Sequence, residues 1–378
     1  MPRDEIPITP ALVTWARTRA GFSLAEAARD FKKIEEWESG GSFPSYPQLE
    51  RLADKFKLPI AVFFFPEPPS VPPIAETFRT LPEPQYSEIP RRIKFLLRKA
   101  KALQLNLIEL HGGKNPTQRL ITHDLQFSQN VQIEDMARQV RQYLGIPLEI
   151  QRNWDGVDAA LDNWRSAFFQ VGVYVFKDAF KVEEYSGFCL YDETFPIIYV
   201  NNSTAKTRQI FTLFHELAHL LFQTSGIDTL NDEYISLLPE QARRIEVICN
   251  RFAAAFLVPE AAFEAAFAGR KPSEELAEQM AAQFHVSREF IYRKFLDRRL
   301  ITEEAYSRAA RRWAAQKKPS PEGDFYNTQI AYLGPEYIRA ALTPYYQNRF
   351  NDVQLAEYLN IAPKNLATFE ARFARRRS

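Results

Sequence analysis

The stretch that most constrains the fold runs from Thr204 to Gln223. Ile210, Phe211, Leu213, Phe214, Leu217, Leu220, Leu221 and Phe222 make it apolar on most sides of a helix, which places it inside the protein. The same helix carries His215, Glu216 and His219. Polar side chains buried without partners are costly, so something must satisfy these three. Residues four apart stand one above the other on a helix. The imidazoles of His215 and His219 are thereby side by side and can grip one metal ion. Glu216 sits about a third of a turn away, within reach of the same point as a general base. This is the H-E-x-x-H arrangement of zinc hydrolases. The competing reading is an ordinary amphipathic helix with two partly exposed histidines, and the apolar surroundings oppose it.

A catalytic zinc usually takes three protein ligands and keeps one position open. His123 and His285 are candidates for the third. A carboxylate on a second helix is the better one. Residues 239–259 read as a helix bounded by Pro239 and Pro259, with Ile245, Ile248, Cys249, Phe252 and Phe256 as its buried stripe. Glu246 borders that stripe, an odd place for a carboxylate without a partner. Asn250, one turn on, shares its face and can support a ligand imidazole from behind. A surface ion pair of Glu246 with Arg243 or Arg244 is the competing reading. Cys249 reads as packing.

Composition bounds the remaining choices. A chain of 378 residues, 46% hydrophobic and 25% charged, suits a soluble protein of two to four domains. A formal charge of +1 leaves nucleic-acid binding undecided for the chain as a whole. Cys189 and Cys249 are the only cysteines, which excludes a disulfide framework and a cysteine-type zinc site and fits a reducing cytoplasm. The first residues lack a basic-then-apolar signal, and no apolar run approaches the roughly 18 residues that span a bilayer. The expectation is a cytoplasmic protein without a membrane partner.

The chain reads as α+β in five parts. Residues 1–65 form a small all-α module, with Ser23 capping its second helix and Gly40-Gly41 ending its third. Residues 66–90 are a Pro-rich linker and 91–165 a helical connecting region. Residues 166–300 are the zinc-bearing core. Strands are expected over 171–176, 187–191 and 197–201, feeding into the His215 helix with Ser203 or Thr204 as its N-cap. A small twisted sheet there would shape a groove, and an exposed edge strand would take an extended peptide by strand addition. His111 and His123 read as loop or surface residues. Residues 301–378 form a C-terminal helical region, expected to bind a partner.

Residues Trp15 to Ala28, with Trp37-Glu38-Ser39-Gly40 and Pro44, resemble the Cro/repressor-type (Xre) helix-turn-helix domain. In that fold the second helix of the motif enters the major groove. The sequence departs from it between Ala28 and Ile34, which is about four residues short for the turn and recognition helix. That weighs against sequence-specific DNA reading and favours a docking or dimerisation surface.

Arg208 to Phe222, followed by Glu246-x-x-x-Asn250 and Arg251 to Pro259, resembles the ImmA/IrrE family of metallo-endopeptidases. Val286 to Arg293 and Leu300-Ile301 are similar to the segment that follows the catalytic core of that family. The resemblance implies a gluzincin-type fold with His215, His219 and Glu246 on zinc. Members include chains with an Xre-like module in front. It also implies cleavage of a partner Xre-type repressor encoded nearby, which would free stress-response or mobile-element genes. Zinc is the expected metal, and the ligand set tolerates manganese. Glu216 is the expected base, and Tyr234, His285 and Tyr292 are the candidate donors to an oxyanion. Two other classes compete: a DNA-binding regulator that keeps the peptidase fold as sensor or scaffold, and an antitoxin-like interaction protein.

Overall fold

The structure, a computed structural model, describes residues 5–20, 22–56, 58, 60–68, 89–229, 238, 240–316 and 323–375. Most of the expected Pro-rich linker, and Tyr234, lie outside the described residues. The described residues divide into two compact units, one up to Arg98 and one from Lys99.

In the first unit, local signals set the helices. Helix α1 (Pro10–Arg19) has a proline at its start, where the missing N–H costs nothing. Helix α2 (Leu24–Asp30) opens on a capping box: Ser23 Oγ accepts from the Glu26 N–H, and Glu26 accepts from the Ser23 N–H. Helix α3 (Ile34–Ser39) ends at Gly40, whose φ of +76° favours a residue without a Cβ. Helix α4 (Tyr46–Phe56) turns Leu49, Leu52 and Phe56 onto Leu12, Ala16, Ile34 and Trp37. Arg17 fixes α1 to α3: its Nη2 donates to Glu38 at 2.9 Å and its Nη1 to the Phe22 carbonyl at 2.9 Å. The expected helices are all present, and the apolar run after them forms a short 3-10 helix at Ile60–Phe64.

Helix α5 (Arg91–Leu110) leads toward the core, followed by α6 (Ile121–Asp124), α7 (Ile133–Leu144), α8 (Leu148–Arg152) and α9 (Gly156–Gln170). Strands β1 (Tyr174–Asp178), β2 (Tyr185–Leu190) and β3 (Ile197–Asn201) precede α10 (Lys206–Leu221), the helix of His215. A fourth strand, β4 (Ile227–Thr229), follows it directly. The sheet is mixed, in the order β1-β3-β2-β4. Strand β1 runs parallel to β3 (Tyr174 opposite Ile197), while β2 is antiparallel to both β3 and β4. Then come α11 (Glu240–Leu257), α12 (Glu260–Phe267), α13 (Glu274–Phe284), α14 (Arg288–Asp297) and α15 (Glu303–Ala314). The chain is mostly helical α+β, as expected, with the sheet beside the helix that bears the histidines.

Two local expectations are corrected. The first strand starts at Tyr174 rather than Val171, because α9 continues to Gln170 and Gly172, at φ +86°, makes a turn. Neither Ser203 nor Thr204 caps α10; Ala205 occupies that position without a side-chain bond. The Thr204 hydroxyl donates instead to the Asn201 carbonyl at 2.9 Å, closing the turn between β3 and the helix.

Aromatic packing locks α10 in place. Phe214 stacks on Phe256 of α11 with centroids 4.1 Å apart, and Trp164 of α9 meets Phe214 edge-on at 4.8 Å. Burying one such ring is worth about 1.5–3 kcal/mol. The last helices, α16 (Phe325–Leu333), α17 (Pro335–Tyr346), α18 (Asp352–Leu359) and α19 (Leu366–Arg375), belong to the same unit. Arg165 of α9 ties them to the sheet, donating to the carbonyls of Ala331 at 3.0 Å and Val175 at 2.8 Å. Among the described residues no helix is long and apolar enough to cross a membrane.

Strand β2 lies close against α10 because residue 187 has no side chain. A Cβ on Gly187 would stand 2.4 Å from Thr212 Cγ2 and 3.0 Å from the Tyr199 carbonyl oxygen. Gly187→Val should therefore cost about 1–3 kcal/mol by overpacking. A lowered melting temperature is the expected result, and an unchanged one would contradict this packing.

Candidate metal centre

Helix α10 delivers His215 and His219 to one face, and α11 brings Glu246 opposite them. His215 Nε2 is 3.2 Å from Glu246 Oε2, and His219 Nε2 is 3.3 Å from Glu246 Oε1. The two Nε2 atoms are 3.2 Å apart. Asn250, one turn after Glu246, accepts from His215 Nδ1–H at 3.0 Å. That bond fixes the tautomer and leaves a lone pair on His215 Nε2. Three electron-pair donors thus converge, with His215 and His219 buried and Glu246 partly exposed. Arg244 turns away to Gln129 and Asn130, so it does not neutralise Glu246.

The electrostatics reflect this crowding. Burial alone would lower the His215 pKa, but the negative field of Asp228 and Glu246 outweighs it and raises the value to about 9. Burial would raise Glu246, and the two histidines instead hold it well below the usual carboxylate range. Glu216 goes the other way: burial pushes it up to about 7, against the pull of His219 and His215. Glu216 is fully buried, and neither of its oxygens makes a hydrogen bond of normal geometry. The Cys189 thiol lies beside it.

A second set of contacts holds the site from behind. Arg208, Thr212 and Glu216 follow one another at four-residue spacing on α10. Buried Asp228 of β4 accepts from Arg208 Nη2 at 2.9 Å, from Thr212 Oγ1 at 3.0 Å and from the Ser186 hydroxyl. Gly226 lies flat on the imidazole of His219; a Cβ there would be 2.5 Å from Cδ2 and 2.8 Å from Nε2. Asp228, Ser186, Arg208, Gly187 and Gly226 were not expected to matter. Their only sequence signal is the Arg208-Thr212-Glu216 spacing and two isolated glycines.

The remaining candidates sit apart from the converging group. His285 ends α13 with φ +57° and stacks on Trp154. Its Nε2 lacks a hydrogen-bond partner. Tyr292 is packed among Phe295, Tyr306 and Trp313. His123 is exposed on α6, and His111 stacks on Phe195 and bonds the Tyr174 hydroxyl at 2.9 Å. Cys249 is buried in the core, in keeping with a packing role.

Among the described residues, the ligand atoms of His215, His219 and Glu246 all lie within 4.8 Å of one another. Two imidazole nitrogens and a carboxylate are the donor set of a zinc site with an open position. Glu246→Ala should lower the zinc bound per chain, measured by elemental analysis. Gly226→Ala should weaken zinc binding by roughly 10–100-fold, the range for disturbed support of a ligand. A full complement of zinc in Glu246→Ala would move the third-ligand role to His285.

No curated protein sequence matches this chain. A solved structure of a Mycobacterium tuberculosis transcriptional regulator is similar at 19% identity and a TM-score of 0.27, over 42% of this chain and 44% of that one. The chain therefore spans less than half the length of that regulator. Residues 170–296, which contain the sheet, α10, α11 and the converging group, match the peptidase M78 family model, described as an IrrE N-terminal-like domain.

Proposed function

We propose that the chain is a metal-dependent endopeptidase, with zinc as the working ion, that cleaves an Xre-type transcriptional repressor. The observation that carries this reading is the convergence of His215, His219 and Glu246 beside an unbonded, buried Glu216. The match of residues 170–296 to an M78 peptidase domain supports the same chemistry. A divalent ion, when bound, supplies Lewis acidity toward the peptide carbonyl and eases ionisation of water.

The chain's own residues account for the rest. Glu216 takes the proton of the attacking water and delivers it to the leaving nitrogen. Burial raises its pKa, which favours its taking up a proton. Asn250 holds His215 in the tautomer that presents Nε2. Strand β4 is at the end of the sheet, and among the described residues no strand pairs with its outer side. An edge strand of this kind suits an extended peptide added as a further strand. Of the candidate oxyanion donors, His285 packs on Trp154 and Tyr292 among Phe295, Tyr306 and Trp313, while Tyr234 lies outside the described residues. The N-terminal module serves docking, since its α3 has 6 residues, short for a recognition helix.

Co-expression with a neighbouring Xre-type repressor tests the reading. The wild-type chain should yield a repressor fragment, and Glu216→Gln should keep its zinc yet cut about 10²–10⁴-fold more slowly. Cleavage at the wild-type rate by Glu216→Gln would remove the base assignment. Gel shifts against upstream DNA should show weak binding without sequence preference. Tight, sequence-specific binding at physiological salt would make the chain a DNA-reading regulator instead.

A further inference from the structure

Arg243, Val247 and Arg251 stand one turn apart on α11, and all three are exposed. Together with α7 they line an open groove of about 1360 Å³. Its floor is apolar: Ala137, Ile248, Phe256 and Val258 are buried along it. Six basic and three acidic side chains line it, so the groove is positive overall. Of these, Glu260 is already paired with Lys294 and Arg298. Arg243 and Arg251 form no ion pair among the described residues. Arg244 donates only to neutral oxygens, those of Gln129 and Asn130, so its charge also stays uncompensated.

We infer that this groove docks an acidic, amphipathic helical segment of a partner protein. Two helices packed side by side leave a furrow that a third helix can fill with its apolar stripe. The Arg-Val-Arg row along α11 pairs with carboxylates flanking such a stripe, while apolar residues reach the floor. A nucleic acid fits less well, because the base of the groove is apolar and would be left uncovered by a phosphate backbone. The surface is independent of the metal chemistry. Glu246 and Asn250 face His215 across to α10, whereas Val247 and Arg251, next in sequence, point about 100° round the helix.

The test uses the full-length chain and fluorescence anisotropy. The probes are helical peptides with a leucine stripe flanked by glutamates, their lysine-flanked counterparts, and a duplex DNA. The glutamate peptides should bind, less tightly as salt rises, and the lysine peptides should not. The double variant R243E/R251E should weaken glutamate-peptide binding by about tenfold or more. Both positions are exposed and form no ion pair among the described residues, so the variant should melt near the wild-type temperature. V247D should weaken the same peptides without reversing the charge preference. Absence of binding by any glutamate peptide, binding that survives the double variant, or tighter binding of the duplex DNA would overturn the inference.

Discussion

Three electron-pair donors held together set the terms for the rest of the second unit. His215 Nε2, His219 Nε2 and the Glu246 carboxylate lie within about hydrogen-bond reach of one another. Lone pairs so placed repel unless a cation lies among them. Without a cation there, the negative field of Asp228 and Glu246 raises the His215 pKa, and the two histidines hold Glu246 far below its usual range. His215, His219 and Glu246 would hold a divalent ion only when the imidazoles are neutral, so metal uptake would depend on pH.

Such an arrangement persists only if its supports cannot relax. The Trp164, Phe214 and Phe256 rings clamp α10 between α9 and α11, which fixes the distance between the histidines and Glu246. On the other side, Gly187 and Gly226 let backbone approach α10 where any side chain would collide. The Asp228 carboxylate, bonded to Arg208, Thr212 and Ser186, ties β4 and β2 to the same helix. Its charge also reaches His215 and Glu216. Aromatic stacking, glycine clearance and one buried carboxylate therefore act on a single helix face, and Glu216 is left without a bond of its own.

Much of this was legible in the sequence wherever the signal is local. The His215-Glu216-His219 spacing needs only helical geometry, and Glu246 stood out as a carboxylate beside an apolar stripe. The capping box at Ser23 and the glycine stop at Gly40 are likewise encoded within a few residues. What escaped depends on tertiary contacts. Strand β4, with 3 residues, is too short to show a period-two pattern, so Asp228 and Gly226 went unnoticed. The Val171-Gly172-Val173 run has strand composition, but the turn at Gly172 overrides it. Thr204 has the chemistry of a cap and spends its hydroxyl on Asn201 instead. The oxyanion donor is set by how distant segments converge, which spacing along the chain does not encode.

X-ray absorption at the zinc edge of the zinc-loaded chain tests the central claim most directly. Only nitrogen and oxygen should surround the ion, two imidazoles and one carboxylate at about 2.0–2.2 Å. The imidazole scattering should fall by half in His219→Ala. Sulfur at about 2.3 Å would place the ion on Cys189 or Cys249 and contradict it. So would surroundings of the ion left unchanged by His219→Ala.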